Sequence, residues 1–113
     1  MVSRDWVSYC LAKPGAWQDE PWEGDVVAKV GPKIFVFSGR DTVGVKCGRN
    51  REEADEWLRR FPDDARVMAY IGRYGWNTLA VGRAIPDDEL VEAVDASYDA
   101  VVAGLPRKDR PAG

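Results

Sequence analysis

The chain has no histidine, and that one absence removes the commonest general base, the usual zinc ligand and the side chain that changes charge near neutral pH. Cysteine is scarce. Cys10 and Cys47 are too few for a disulfide framework, and each sits among apolar neighbours, where cysteine usually serves as a small buried hydrophobe. No apolar run approaches the roughly 20 residues of a membrane-spanning helix. The opening Met1-Val2-Ser3-Arg4-Asp5-Trp6 also lacks the basic segment and apolar stretch of a secretory leader. A cytoplasmic protein with no membrane partner is therefore expected. No Ser, Thr or Cys stands in a recognisable motif with a base, and neither GxGxxG nor GxxxxGK occurs. The expectation is a protein without catalytic residues, cofactor or metal.

What is present fits one domain of 113 residues, with 45% apolar residues to fill a core and an ordinary charged fraction of 31%. Net charge is −3, which by itself argues against a polyanionic partner. The distribution says something different. Residues 26–51 hold Lys29, Lys33, Lys46, Arg40, Arg49 and Arg51 against a single acid, Asp41, and residues 65–86 hold Arg66, Arg73 and Arg83 with no acid at all. A local field of that sign matters more to a docking polyanion than the average over the molecule.

Trp6, Tyr9, Cys10 and Lys13 recur at helical spacing, with Ser3 as a plausible cap and Pro14-Gly15 as the stop. Residues 16–25 read as an acidic loop. Strands are expected over Val26–Val30, Lys33–Ser38 and Val43–Cys47, joined at Gly31-Pro32 and at residues 39–42. Asn50 and Glu53 resemble a capping box, and Ala54, Trp57, Leu58 and Phe61 line one face of the helix that follows. Two further strands are expected over Arg66–Ile71 and Trp76–Val81. The last helix starts near Pro86, with Asp87, Asp88 and Glu89 in its first turn and Leu90, Val94, Tyr98, Val101 and Leu105 as its buried stripe. Its acidic stripe of Asp88, Glu92, Asp95 and Asp99 runs along the helix instead of converging, which suits a solvated face better than a metal site. The order α-β-β-β-α-β-β-α implies an α+β two-layer sandwich, a mainly antiparallel five-stranded sheet with helices on one face. Residues 1–106 form its single domain and residues 107–113 a short, basic, disordered tail.

This order of elements resembles the MmcQ/YjbR family, and local signatures agree with it. Tyr9-Cys10-Leu11 followed by Pro14-Gly15-Ala16 is similar to the family's opening helix and its LPGA ending. Lys29-Val30-Gly31 with Lys33-Ile34-Phe35 resembles its KVGGKMFA hairpin, and Val43 to Cys47 its VSLKC strand. Gly75-Trp76-Asn77-Thr78 resembles HWNTV, and Ser97-Tyr98 with Ala103-Gly104-Leu105-Pro106 resembles the closing SYDLVVAKLP helix. The resemblance implies a fold similar to CyaY-like and secretion-chaperone-like sandwiches, and a DNA-binding role for the sheet face. Gly75 stands where the family often has histidine, so no role for an imidazole there carries over.

Two site constellations follow. In the first, strand alternation sends Lys29 and Lys46 to the sheet face away from the core, with Lys33 and Arg73 near its edges. With Tyr70 and Trp76 for stacking, these residues suit DNA or RNA bound with low sequence specificity, by phosphate contact and base stacking. The same lysines would equally keep an open sheet soluble. In the second, Trp17 and Trp22 in the acidic loop either fold back as packing or, with Tyr74 and Trp76, wall a pocket for a small aromatic or cationic ligand. A protein-interaction adaptor using the flat sheet face is a third reading.

Overall fold

Helix α1 (Trp6–Leu11) buries Trp6 and Cys10 and ends before Pro14-Gly15, where glycine supplies a φ of 72°. The computed structural model describes residues 6–22, 25–39 and 41–111. Ser3 and Arg40 lie outside these residues, as do the side chains of Trp22 and Asp25. The stretch expected as a loop is a strand, β1 (Ala16–Trp22), which pairs antiparallel with β2 (Asp25–Val30). Its proline and acids hide a strand at the edge of the sheet, where Pro21 needs no ladder hydrogen bond and charges discourage further pairing. The sheet therefore has six strands instead of five.

Strands β3 (Lys33–Ser38) and β4 (Thr42–Lys46) follow, then helix α2 (Arg51–Arg60). The Asn50 side chain accepts the Glu53 N–H at 2.9 Å, as a capping box requires. The Glu53 carboxylate accepts instead from the Arg49 N–H at 2.8 Å, one residue before the usual partner. Strand β5 (Ala65–Val67) keeps only Arg66 and Val67 of the expected strand. The chain leaves the sheet at Met68 and makes a 3-10 turn at Gly72–Tyr74 before β6 (Trp76–Ala80) and helix α3 (Asp87–Ala103). Neighbours run β1-β2-β3-β4-β6-β5, all antiparallel.

Directly paired residues project from the same face of a sheet, so the register sorts the side chains. Ala28, Val36 and Val45 make one row, and Val43, Leu79 and Ala65 another. Both rows are buried in one core with Trp6, Cys10, Leu90, Val94, Tyr98 and Leu105, against which Trp57 and Phe61 of α2 pack half-buried. All three helices thus cover one face, as the amphipathic patterning implies. A bulge in β3 at Phe35 interrupts the ladder with β2. The Ser97 hydroxyl of α3 repairs the break, donating to the Phe35 carbonyl at 2.7 Å and accepting from the Lys46 N–H at 2.9 Å. A buried serine on an apolar helix face is explained by those two orphaned backbone groups. Residues 107–111 of the expected tail run in a 3-10 turn at Arg107–Asp109, and Arg110 donates to the carbonyls of Leu105 and Ala103.

Candidate functional site

The alternate row of the sheet is Val27, Phe37, Gly44, Thr78 and Arg66, on the face no helix covers. The segment that leaves β5 folds back over this row. Met68 lays its terminal methyl over Gly44, where an added Cβ would collide with it. Two clamps hold the segment. At its start the Met68 N–H donates to the Trp76 carbonyl at 3.2 Å. At its end the Arg51 guanidinium donates to the Gly72 carbonyl at 2.7 Å and the Trp76 carbonyl at 3.2 Å, while also holding Asp55 and Asn77. Between the clamps the Ile71 N–H reaches back to the Ala69 carbonyl at 2.8 Å, closing a γ-turn about Tyr70. Tyr70 has a φ of 68°, a left-handed conformation costly for a bulky residue, and its side chain is 97% exposed.

Between segment and sheet lies a cleft of about 630 Å³. Val27, Phe37, Gly44 and Thr78 form its floor, Met68, Ala69, Tyr70 and Ile71 one wall, and the paired Val26 and Ser38 with Gly39 and Thr42 the far end. The size suits a drug-sized ligand. Among the described residues no carboxylate, ammonium or guanidinium lines it, so polar contact falls to hydroxyls and backbone, and the occupant's body must be apolar to repay its desolvation.

Of the residues expected to carry nucleic acid, Lys29 and Lys46 do emerge on this open face, but both are engaged. Lys29 pairs with Asp19 at 2.8 Å, its side chain 18% exposed, with its ammonium 5.0 Å from the Trp17 ring centre. The hydrogen bond from Lys29, with that of the Glu20 N–H, holds the Asp19 carboxyl below its usual range. Lys46 donates to the Tyr74 carbonyl at 2.9 Å. Lys33 is exposed at the β2–β3 turn, and Arg73 stacks on Tyr74 at 4.9 Å. Trp76 packs edge-on against Phe37 at 5.7 Å, and Tyr70 alone of this set lines the cleft.

The expected four-aromatic pocket does not assemble. Trp17 on β1 and Trp76 on β6 are separated by three strands, about 19 Å at the usual strand spacing. Trp17 instead donates its indole N–H to the Gly31 carbonyl at 2.9 Å, and neither it nor Tyr74 nor Trp76 lines the cleft. The residues that do line it were legible only indirectly. Val26-Val27-Ala28 and Ile34-Phe35-Val36-Phe37 are continuous apolar runs, the mark of strands covered on both faces. Burial disfavours the thiolate of both cysteines, pushing Cys10 up to about 12 and Cys47 up to about 11, the latter against a lowering pull from Asn77 and Arg51.

A family model described as YjbR matches residues 11–100. Among curated proteins the chain is similar to "Uncharacterized protein YjbR" from Escherichia coli K12, 30% identical over 97% of this chain and 95% of that protein, and equally to its counterpart in strain O157:H7. Among solved structures it is similar to the crystal structure of Deinococcus radiodurans protein DR2400, a DUF419 domain. That likeness has a TM-score of 0.80 at 20% identity, covers 93% of this chain and 82% of the other, and concerns the fold alone.

Proposed function

The chain belongs to the YjbR family, whose named relatives carry no activity to transfer, and from the geometry of the open sheet face we propose that it is a small-molecule-binding module. The observation that carries this reading is the uncharged cleft beneath the Tyr70 turn. A fold does not hold an exposed aromatic at positive φ without compensation, and here the strained residue walls a cavity of ligand size. Planar apolar molecules suit the apolar floor at Val27 and Phe37 beside Met68, whose methyl covers Gly44. A two-ring compound of about twelve heavy atoms, at roughly 0.4–0.5 kcal/mol per atom, would bind with a Kd on the order of 100 μM.

The chain has two methionines, so ε-methyl labelling yields signals for Met1 and Met68 alone. Titration with a neutral naphthalene derivative is expected to move the Met68 methyl signal saturably. A signal unmoved up to millimolar ligand overturns the reading.

A second reading, low-specificity nucleic-acid binding, is favoured by one observation: the exposed Tyr70 ring lies within four residues of two exposed arginines, Arg66 and Arg73. With three or four phosphate contacts, log K falls against log salt with a slope of roughly −2 to −4. Titration of single-stranded oligonucleotides at about 20 mM salt checks this, and no binding at tens of micromolar protein removes it.

A further inference from the structure

Resting on the cleft as a ligand site, we infer that its occupant is an aromatic or other apolar molecule with one anionic end, the anion lying on Arg66. Arg66 stands opposite Thr78 across the β5–β6 pair, so it emerges on the open face beside a cleft-floor residue. It also precedes Met68, a wall residue, by two positions on the same side of the chain. Arg66 is exposed, at the rim and not inside.

Its charge is not committed elsewhere. Arg49, Arg51, Arg59, Arg60 and Arg83 each hold a carboxylate, and Arg73 lies on the Tyr74 ring, whereas no ion pair or ring contact of Arg66 occurs among the described residues. Residues 65–86 contain no acid that could compete for it. A guanidinium receives a carboxylate through two parallel hydrogen bonds, a geometry an ammonium cannot match. Because no charged group lines the pocket among the described residues, an anion placed inside would be desolvated without a partner from them. At the rim it keeps its water on one side and Arg66 on the other. The division of labour is thus an apolar body in the cleft and a solvated anion at the mouth. A rim ion pair sets the choice between ligands more than the affinity itself.

The experiment displaces a neutral fluorescent probe, N-phenylnaphthylamine, from the full chain with either naphthoate or naphthylmethanol, which share a ring system and differ in charge. At about 20 mM salt the acid is expected to compete about three- to fivefold better, the worth of one exposed ion pair, although the protein's net charge of −3 opposes it. In Arg66→Gln that advantage is expected to fall to about one, with thermal unfolding checking that the variant is folded. Lys108→Gln, the same charge loss in the C-terminal turn, is expected to keep it. Equal competition by acid and alcohol in the wild-type protein, or an advantage that survives Arg66→Gln, overturns the inference and leaves the cleft reading standing. Failure of both compounds to displace a bound probe, or of the probe to bind, overturns the inference together with the reading beneath it.

Discussion

Replacing Tyr70 with glycine is expected to make the protein more stable and less able to bind. The ring is 97% exposed, so its removal costs almost no burial. The backbone at φ 68° does cost: a left-handed conformation costs an L residue about 1–2 kcal/mol, which glycine does not incur. Glycine in turn brings extra freedom to the unfolded chain, worth about 0.5–1 kcal/mol against it. The difference is a net stabilisation of about 0.5–1 kcal/mol, or roughly 2–5 °C in Tm for a chain of this length. Binding moves the other way, because one aromatic contact, about 0.5–1.5 kcal/mol, is lost from the cleft wall, a two- to tenfold weakening. Tyr70→Ala separates the two effects. It loses the ring but keeps a Cβ at the same φ, so it should bind as weakly as the glycine variant without the rise in Tm. Denaturant titration and probe binding on the three proteins check this. A glycine variant that is destabilised by more than about 0.5 kcal/mol, or that binds as well as wild type, would refute the idea that strain is held at Tyr70 for the sake of the cleft.

Gly44→Ala should fold, because the added Cβ meets the flexible end of Met68, although Phe37 Cβ at 3.2 Å must also give slightly. Overpacking should cost about 1 kcal/mol and turn the Met68 methyl into the cleft, visible as a displaced methyl signal and weaker probe binding. Trp57→Ala should cost about 2–3 kcal/mol, less than a full core truncation, because the ring is half-buried against Phe61 and Arg60; urea titration measures it. Asp95 accepts from Tyr9 and pairs with Lys13, joining α3 to the end of α1. Burial raises its pKa, but the hydrogen bonds of Lys13 and Tyr9 outweigh it and leave the carboxyl below its usual range. A depressed folded pKa stabilises above the unfolded value of about 4 and ceases to as pH falls through the folded one. The Tm gap between wild type and Asp95→Asn should therefore be constant from about pH 5 to 8 and close in stronger acid.

Much of this fold is written in local signals. Helix α2 is announced by Asn50 and stopped near Pro62, β3 by its run of β-favouring residues, and α3 by acids in its first turn and a stripe from Leu90 to Leu105. These depend on residues within one turn or one strand of each other, which is why spacing suffices to find them. Strand β1 is hidden because Asp19, Glu20 and Pro21 have poor strand propensity and interrupt its β-favouring tryptophans, so that pairing to β2 holds it. The stretch 68–71 departs from its pattern in the opposite sense. Met68 to Ile71 look like a continuing strand, but the Gly72 carbonyl is claimed by Arg51, 21 residues away, and the chain must turn at Tyr70 to reach it.

By itself the sequence determined the class of the fold, the positions of the three helices and which strand face meets them, because amphipathic periodicity is a property of consecutive residues. Only the tertiary structure decided what happens on the other face. Pairing Lys29 with Asp19, placing Lys46 on the Tyr74 carbonyl and setting Met68 over Gly44 all join residues far apart in the chain. A lysine on an open strand reads the same whether its charge is free or spent. The partner that spends it arrives from another element, as Asp19 does for Lys29 and the Tyr74 carbonyl for Lys46, and no spacing along one strand announces it.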